Sequence, residues 1–141
     1  MSILSDQDRQ AVQKEFEALA GPVKLTVFSQ SLGSESCLET ERLIKEVVEC
    51  SDKLSVEILN LVLDREKAEA YGVDRAPAIV VEGAEDYGIR FFGLPGGYEF
   101  SNLIDSIIVA SSGQPGLSLE TREALTNLKE PAHIRVFTTP T

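Results

Sequence analysis

The sequence has no long apolar run and little positive charge. No apolar stretch approaches the ~20 residues that a membrane-spanning helix needs, and the start of the chain lacks the basic and then apolar layout of a signal peptide. The 141 residues, 43% apolar and 26% charged, fit a soluble globular protein of about one domain. A formal net charge of −10 disfavours nucleic acid and anionic membrane as partners, because both need a basic face. We expect a cytoplasmic protein.

Cysteine and histidine are scarce as well. The two cysteines, Cys37 and Cys50, fall in the same predicted helix. At ~1.5 Å per residue they are roughly 20 Å apart, far beyond the ~7 Å limit on the Cα separation of a disulfide. They cannot pair within one intact chain. The single histidine, His133, has no Cys or Asp cluster near it, so we predict no metal site.

The central unit of the chain, residues 23–48, combines a predicted strand, a turn rich in glycine and serine, and an amphipathic helix. The strand, residues 23–29, alternates and is rich in β-formers. Cys37 stands near the start of the helix, where backbone amides and the macrodipole stabilise a thiolate. This thiol is therefore the first candidate for chemistry. One face of the strand carries Val23, Leu25 and Val27, and the other carries Phe28.

Two positions can cap this helix, and they give Cys37 different environments. A capping box of Ser36 and Glu39 would place Cys37 at the first helical position, beside unpaired amides and close to solvent. If Ser34 caps the helix instead, Cys37 lies one turn inside, on the apolar stripe, and is a buried thiol. The sequence is compatible with both.

The rest of the first 112 residues alternates strands and helices. The second strand, residues 54–63, should be parallel to the first, because a strand-helix-strand unit of this length favours a right-handed crossover. Pro77 cannot donate to a sheet ladder, so it should start the third strand, residues 77–81, or lie at an edge. The remaining predictions are a first helix over 5–20, a short helix over 64–71, a hairpin turn over 82–86, a fourth strand over 88–92 and a last helix over 98–110.

A repeat follows a linker at residues 111–116. The offset between the copies changes from 113 to 109 residues, so the second helix is about one turn shorter. We interpret the repeat as an internal duplication. Residues 1–112 would form one unit with an N-terminal helix, and residues 113–141 a linker, a helix and the first strand of a second, truncated unit. The matches are Leu117, Ser118, Arg122 and Ala124 with Leu4, Ser5, Arg9 and Ala11, and residues 131–138 with residues 22–29.

Four segments carry a family resemblance: Pro-Val-Lys-Leu-x-Val-Phe at 22–28, Asp-Arg-Ala-Pro-Ala at 74–78, Phe-Gly-Leu-Pro-x-Gly-x-Glu-Phe at 92–100 and Val-Phe-x-Thr-Pro-Thr at 136–141. With the element order, they resemble the thioredoxin/glutaredoxin fold. More closely, the chain resembles the N-terminal half of the glutaredoxin-like protein disulfide oxidoreductases of thermophiles, which have two thioredoxin-fold units in tandem. This implies an α/β fold with a mixed central sheet flanked by helices.

The resemblance implies thiol-disulfide exchange in the longer protein. Family members active in this unit have Cys-x-x-Cys where this chain has Ser34-Glu35-Ser36-Cys37. Exchange needs an attacking thiolate and a second thiol that releases the mixed disulfide, so this unit should be redox-impaired. Cys37 is then an auxiliary thiol, with glutathione as a possible substrate, or a packing residue. Ser34 donates to a bound thiolate, as the serine of kappa-class glutathione transferases does, or is an ordinary cap.

A peptide-binding surface is also implied. A cis bond between Ala76 and Pro77 would present the preceding backbone to an extended substrate, and Arg75 is a candidate partner for an acidic ligand or an ordinary surface charge. Gly96 and Gly97 resemble the glycine pair that holds a glutathione carboxylate in glutaredoxins, or form only a turn. The implied partners are protein disulfides or extended peptides and the second thioredoxin-fold unit, with no cofactor.

Two other functions are compatible with the sequence. The unit can be a binding or structural module without redox chemistry, like the non-catalytic thioredoxin-fold domains of disulfide isomerases. It can also be the tandem N-terminal domain of a flavin-dependent peroxide reductase, whose first unit lacks the redox pair. This chain contains no glycine fingerprint for flavin binding that would test the second alternative.

Overall fold

The structure is a computed structural model that describes residues 1–30, 32 and 34–139. Ser31 and Gly33, in the predicted turn before the thiol, and Pro140 and Thr141, in the last segment of the resemblance, lie outside the described residues. Within the described residues, no helix combines the length and the apolar character that crossing a membrane requires. The elements are α1 (Asp6–Glu15), β1 (Val23–Ser29), α2 (Glu35–Val48), β2 (Leu54–Asn60), α3 (Arg65–Ala70), β3 (Ala78–Glu82), β4 (Ile89–Phe92), α4 (Tyr98–Ser112) and α5 (Leu119–Thr126), with a short 3-10 helix, Phe16–Ala18, after α1.

The described strands form one four-stranded sheet in the order β2-β1-β3-β4. β1 and β2 are parallel, from Val23 opposite Leu54 to Ser29 opposite Asn60. This pairing is possible because α2 carries the chain back along the sheet between the two strands. β3 is antiparallel to both β1 and β4. The predicted fold class, a mixed central sheet flanked by helices, is confirmed.

The two faces of β1 lie in different hydrophobic cores, as the alternation of the strand predicted. Val23, Leu25 and Val27 pack in the larger core with side chains of α1, α2 and α4. Phe28 packs in the smaller core with side chains of α3, and its ring meets that of Tyr71 edge on at 6.0 Å. Burial of apolar surface, at about 25 cal/mol per Å², holds helices on both faces of the sheet.

β2 is shorter than its apolar pattern predicted, because a turn begins at Asn60. The Asn60 side-chain oxygen accepts hydrogen bonds from the N–H groups of Val62 and Leu63 at 2.9 and 3.0 Å. The Asp64 carboxylate accepts one from the Asn60 N–H at 2.8 Å. These local bonds satisfy backbone groups that strand pairing would otherwise use. Val62 and Leu63 therefore lie exposed beyond the end of the strand.

After α4, the described residues form a helix, α5, but no strand. A strand over residues 131–138, as the repeat predicts, would need a neighbouring strand to pair its backbone groups. None of the described strands pairs with this segment. Ile134, Val136 and Phe137 are consequently 83%, 80% and 88% exposed.

The Glu46 side chain binds the N-terminal segment, residues 2–4, to α2. Its carboxylate accepts hydrogen bonds from the Ile3 and Leu4 N–H groups at 2.8 and 2.9 Å and from the Ser2 hydroxyl at 2.8 Å. The Arg9 guanidinium lies 3.4 Å from it. Burial raises the pKa of Glu46, but these hydrogen bonds and Arg9 outweigh burial and hold the pKa below its ordinary value of 4.5.

We expect acid to release the N-terminal segment from α2. A carboxyl whose pKa is lowered by folding contributes stability above its unfolded pKa, and this contribution is lost as pH falls through the folded pKa. In an NMR titration, the amide resonances of Ile3 and Leu4 should therefore change together below pH 4.5. The Glu46→Gln variant should lack this transition. A midpoint at or above 4.5 would contradict the expectation.

Candidate functional site

The site residues named from the sequence lie at one edge of the sheet. β1, β2 and β4 run in the same direction and β3 runs against them, so three carboxyl ends meet the start of β3 there. The connection after β1 leads to Ser34 and Cys37. Pro77 directly precedes Ala78, which pairs with Phe28 near the end of β1. The topology thus places the start of α2 and the Ala76–Pro77 peptide, which we call the proline step, at the same edge.

Ser34 caps α2, which decides between the two cap positions left open by the sequence. Its hydroxyl oxygen accepts a hydrogen bond from the Cys37 N–H at 3.3 Å, and its carbonyl accepts one from the Leu38 N–H at 3.4 Å. The Ser36 hydroxyl lies 3.1 Å from the Ser34 hydroxyl. An N-cap side chain satisfies one of the amides left unpaired at a helix start. The observed contacts of Ser34 are those of such a cap.

Cys37 is the third residue of α2, in the first turn of the helix, with an exposed fraction of 0%. It belongs to the buried stripe of the helix, next to Thr40, whose hydroxyl donates to the Ser36 carbonyl at 2.7 Å. Disulfide exchange requires a thiolate that can reach the attacked sulfur. The Cys37 thiol has no such access in this structure. The other free cysteine, Cys50, lies beyond the far end of α2.

A buried serine connects the end of β1 to α2. The Ser29 hydroxyl donates to the Glu41 carboxylate at 2.5 Å, and the Ser29 carbonyl accepts a hydrogen bond from the Leu61 N–H at 2.9 Å. Only 5% of Ser29 is exposed. Glu41 stands about one turn after Cys37, so this hydrogen bond holds the first turns of α2 against the end of β1.

The proline step presents unpaired backbone at the site. The Ala76–Pro77 peptide bond is cis, and the Pro77 carbonyl accepts a hydrogen bond from the Gly93 N–H at 2.9 Å. Within the described part of the chain, the backbone groups of Arg75 and Ala76 make no hydrogen bond to other backbone groups. A backbone with free donors and acceptors beside a sheet can pair with an added strand.

Arg75 is held at the surface beside this step. Its guanidinium lies 5.3 Å from the centroid of the Phe92 ring, in a cation–π contact. Its Nε donates to the Asp74 carboxylate at 2.9 Å, and this charged partner lowers the pKa of Asp74. The guanidinium therefore keeps a defined position while remaining open to solvent.

Exposed apolar side chains surround the same edge of the sheet. Val62 and Leu63 follow β2, Leu38 lies in the first turn of α2, Phe92 ends β4 and Leu94 lies just beyond it. We call these residues the apolar rim. Their exposed fractions range from 37% for Leu94 to 84% for Leu63. Grouped exposed apolar side chains are typical of a surface that binds protein or peptide.

Gly96 and Gly97 form the turn into α4. Gly97 is the N-cap residue, with φ 58° and ψ −128°, and its carbonyl accepts a hydrogen bond from the Phe100 N–H at 3.2 Å. Both glycines are exposed. Glu99 places a carboxylate in the first turn, where it would repel an anion bound at the helix start. The contacts present here are those of a turn.

Among the residues that the structure describes, no three or more His, Cys, Asp or Glu side chains are placed to hold a metal ion.

The surroundings of the second free cysteine, Cys50, do not activate its thiol. The Cys50 thiol donates to the Glu46 carbonyl at 3.3 Å, and burial raises its pKa. A thiol with a raised pKa carries less thiolate at neutral pH and is a weaker nucleophile.

Protein-family models give no match to the chain. A probable thioredoxin from Methanothermobacter marburgensis is 34% identical to it over 86 residues, which are 61% of this chain and 96% of that protein. This chain belongs to the thioredoxin family.

Two longer proteins are similar to almost the whole of this thioredoxin-family chain. The F subunit of alkyl hydroperoxide reductase from Staphylococcus epidermidis is 27% identical over 130 residues, 92% of this chain and 23% of that protein. A solved protein disulfide oxidoreductase from Aeropyrum pernix K1 is 28% identical, with a TM-score of 0.79 over 92% of this chain and 57% of that chain. The chain therefore spans only part of the length of both proteins.

The thioredoxin-family site contains residues that sequence reasoning named and residues that it missed. Ser34, Cys37 and Pro77 were identified from their positions relative to the first helix and the third strand. The apolar rim was missed, because Phe92 and Leu63 were assigned to strands and their exposure depends on where those strands end. The Ser29–Glu41 hydrogen bond was missed too, although a serine at the end of an apolar strand was an available signal.

Proposed function

We propose that this chain is the thioredoxin-fold unit of a thiol-disulfide oxidoreductase, with an incomplete thiol pair and a retained peptide-binding surface. The observation that carries the proposal is Ser34 at the cap of α2, with Cys37 buried three residues on, in the first turn of the helix. Likeness to a probable thioredoxin and to a protein disulfide oxidoreductase supports the oxidoreductase class. Reduction or isomerisation of protein disulfides would be the activity of the longer protein.

The chemistry of exchange is the reason to propose that this unit is redox-impaired. A thiolate attacks one sulfur of a disulfide and the other sulfur leaves as a thiolate; a second thiolate then attacks the mixed disulfide and releases the product thiol. The Ser34 hydroxyl cannot replace the attacking thiolate. Cys37, in the resolving position, then has no mixed disulfide to resolve. Glutathione could react only with the buried Cys37 thiol, and only after local opening of α2.

Binding of an extended peptide needs no thiol. The free backbone of Arg75 and Ala76 can pair with a peptide strand, and the apolar rim can contact its side chains. The Arg75 guanidinium, already positioned by Phe92, can contact an acidic residue of the peptide. We therefore propose protein disulfides or extended peptides as partners of the surface around Pro77, without a cofactor.

Alkylation separates the two cysteines. In the Cys50→Ser variant, we expect Cys37 to react with iodoacetamide only slowly in the folded protein and fast in urea, because its side chain is fully buried. In the matched Cys37→Ser variant, Cys50 should react sooner, since it is only half-buried. Fast labelling of folded Cys37, with an apparent pKa well below the ~8.5 of a free thiol, would overturn the proposal of an impaired unit and favour a monothiol acting on glutathione.

Peptide binding tests the retained surface. We expect the amide resonances of Arg75 and Ala76 to shift when alkylated, unfolded insulin B chain is added to the intact protein. Changing both Val62 and Leu63 to Ser should weaken binding by about tenfold or more, from the lost burial of two apolar side chains. The Val109→Ser variant, which changes an exposed apolar residue on α4, is the control. Equal affinity in all three proteins would contradict a site at this edge.

We also propose that residues 113–141 open a second thioredoxin-fold unit. The repeat of residues 4–11 and 22–29 supports this assignment. The exposure of Ile134, Val136 and Phe137, whose counterparts in β1 are buried, supports it as well. In the protein disulfide oxidoreductases that this chain resembles, the second unit has the complete Cys-x-x-Cys pair. The redox activity of the longer protein would therefore lie in that unit.

A second candidate function is a domain of an alkyl hydroperoxide reductase. The observation that favours it is the 27% identity to the F subunit of such a reductase over 92% of this chain. Sequencing the gene beyond residue 141 separates the two candidates. A Cys-x-x-Cys motif soon after residue 141, without a dinucleotide-binding fingerprint, would favour the disulfide oxidoreductase. A continuation that contains G-x-G-x-x-G would favour the flavoprotein.

A further inference from the structure

Two helices of this chain begin with the same local geometry. Ser5 caps α1 at φ −67° and ψ 161°, and its hydroxyl accepts a hydrogen bond from the backbone N–H three residues on at 3.1 Å. Ser118 caps α5 at φ −61° and ψ 155°, and its hydroxyl accepts the equivalent hydrogen bond at 3.2 Å. Each serine carbonyl accepts from the N–H of the matched arginine, Arg9 or Arg122. The sequence repeat is therefore also a repeat of structure at the start of both helices.

The two copies differ in what covers them. Six apolar residues of the first copy are at most 8% exposed, and their apolar counterparts in the second copy are at least 45% exposed. Apolar side chains in this repeating pattern stabilise a fold only when they are buried. The second copy therefore has an apolar face without an occupant among the described residues. The matched pairs are Leu4 with Leu117, Val12 with Leu125, Leu19 with Leu128, Leu25 with Ile134, Val27 with Val136 and Phe28 with Phe137.

The first copy identifies the chemistry of the missing occupant. α1 packs with α2 in the larger core. On the polar side, Arg9 pairs with Glu46 at 3.4 Å and with Glu49 at 3.3 Å. The Glu46 carboxylate also accepts hydrogen bonds from the Ile3 and Leu4 N–H groups. One pair of carboxylates, three residues apart on α2, thus binds the arginine and the backbone just before α1.

The matched residues of the second copy are exposed. The Leu117 N–H donates to the Pro115 carbonyl at 2.7 Å, so a docked carboxylate would replace this local hydrogen bond. Gly116 and Leu117 correspond to Ile3 and Leu4, and Arg122 corresponds to Arg9. Among the residues that the structure describes, the Arg122 guanidinium donates one hydrogen bond, to the neutral amide oxygen of Gln114 at 3.3 Å. Arg122 is also the only basic residue of α5. A carboxylate pair would complement this group as Glu46 and Glu49 complement Arg9.

We propose that the exposed face of α5, together with the Gly116 and Leu117 amides, is a docking surface for one kind of partner: an amphipathic helix with a Glu-x-x-Glu pair near its C-terminal end, chemically like α2. The proposal rests on the proposed second unit, whose own second helix would be this partner. It adds the contacts that join that helix to α5: the two backbone amides to one carboxylate, and the Arg122 guanidinium to both.

A chimera supplies the missing helix from the chain itself. Residues 1–138 are followed directly by a second copy of residues 30–112, so that α5 and residues 131–138 stand where α1 and β1 stand in the first unit. We expect the second unit to fold, and hydrogen exchange of the Gly116 and Leu117 amides to slow by at least about tenfold relative to the original chain. Changing Glu46→Gln in the second copy alone should remove this protection.

Variants of α5 separate the two proposals. Arg122→Gln should lower the urea midpoint of the second unit, followed at the Val136 amide, and we expect Arg9→Gln to lower that of the first unit in the same way. The charge-matched control Lys129→Gln should leave it unchanged. If the second unit folds but Arg122→Gln has no more effect than the control, the docking contacts are wrong and the second unit stands. If the added residues stay unfolded, the equivalence of the two copies fails, and both proposals fail with it.

Discussion

Replacing Ser34 by cysteine is expected to turn this unit into a dithiol reductant. Position 34 is the N-cap of α2, partly exposed and beside unpaired amides. A cysteine there would have a lowered pKa: from ~8.5 to about 7, the thiolate fraction at pH 7 rises from roughly 3% to about half. Cys37 lies three residues on, and Cα atoms at this helical spacing are about 5–6 Å apart, within the range for a disulfide. The substituted chain would therefore contain both thiols that exchange requires.

The measurement is the reduction of insulin disulfides with dithiothreitol as the electron source. We expect wild type to add nothing to the rate with dithiothreitol alone, and Ser34→Cys to raise it at least about tenfold, in line with its thiolate fraction. Ser36→Cys is the matched control, since it adds an exposed thiol in the same turn at a position that is not the N-cap. Ser34→Cys combined with Cys37→Ala should form mixed disulfides but not turn over. A wild-type rate equal to that of Ser34→Cys would refute the impaired unit.

The substitution Gly83→Ala is expected to cause a large loss of stability. A methyl group at Gly83 would overlap the carbonyl oxygen of Ala110, in the last turns of α4. That atom belongs to the backbone and cannot move aside like the end of a flexible side chain, so the turn between β3 and β4 must separate from α4. Forcing an added group into a packed contact costs typically 1–3 kcal/mol and occasionally more. We expect about 3 kcal/mol, because the obstacle is backbone.

Thermal and urea unfolding check this expectation. A loss of about 3 kcal/mol corresponds to a decrease in melting temperature of roughly 10 °C or more for a unit of this size. Gly96→Ala is the matched control, because a methyl group there meets nothing within 4 Å. It should change the free energy of unfolding by less than about 0.5 kcal/mol, as surface substitutions do. Equal stability of Gly83→Ala and Gly96→Ala would show that α4 does not pack on this turn.

Much of the fold could be predicted from the pattern of the sequence. The alternation of β1 assigned Leu25 and Phe28 to opposite faces, and burial of both follows from that assignment. The length of the segment between β1 and β2 predicted a parallel pair, because a shorter connection cannot return the chain to the same edge. Boundaries were less accurate. β2 was predicted too long, because the local bonds of Asn60 compete with strand pairing and leave no trace in the apolar pattern.

Residue types alone determined that Cys37 and Cys50 cannot pair, that position 34 has no thiol, and that residues 117–138 repeat the opening of the chain. Only the tertiary structure decided which serine caps α2, because that depends on where the backbone leaves β1. It also decided that Cys37 is buried and that the rim from Leu38 to Leu94 gathers at one edge, since both follow from packing across the sheet. A strand-forming sequence at residues 131–138 is likewise not enough for a strand, because its backbone needs a partner that only the fold can provide.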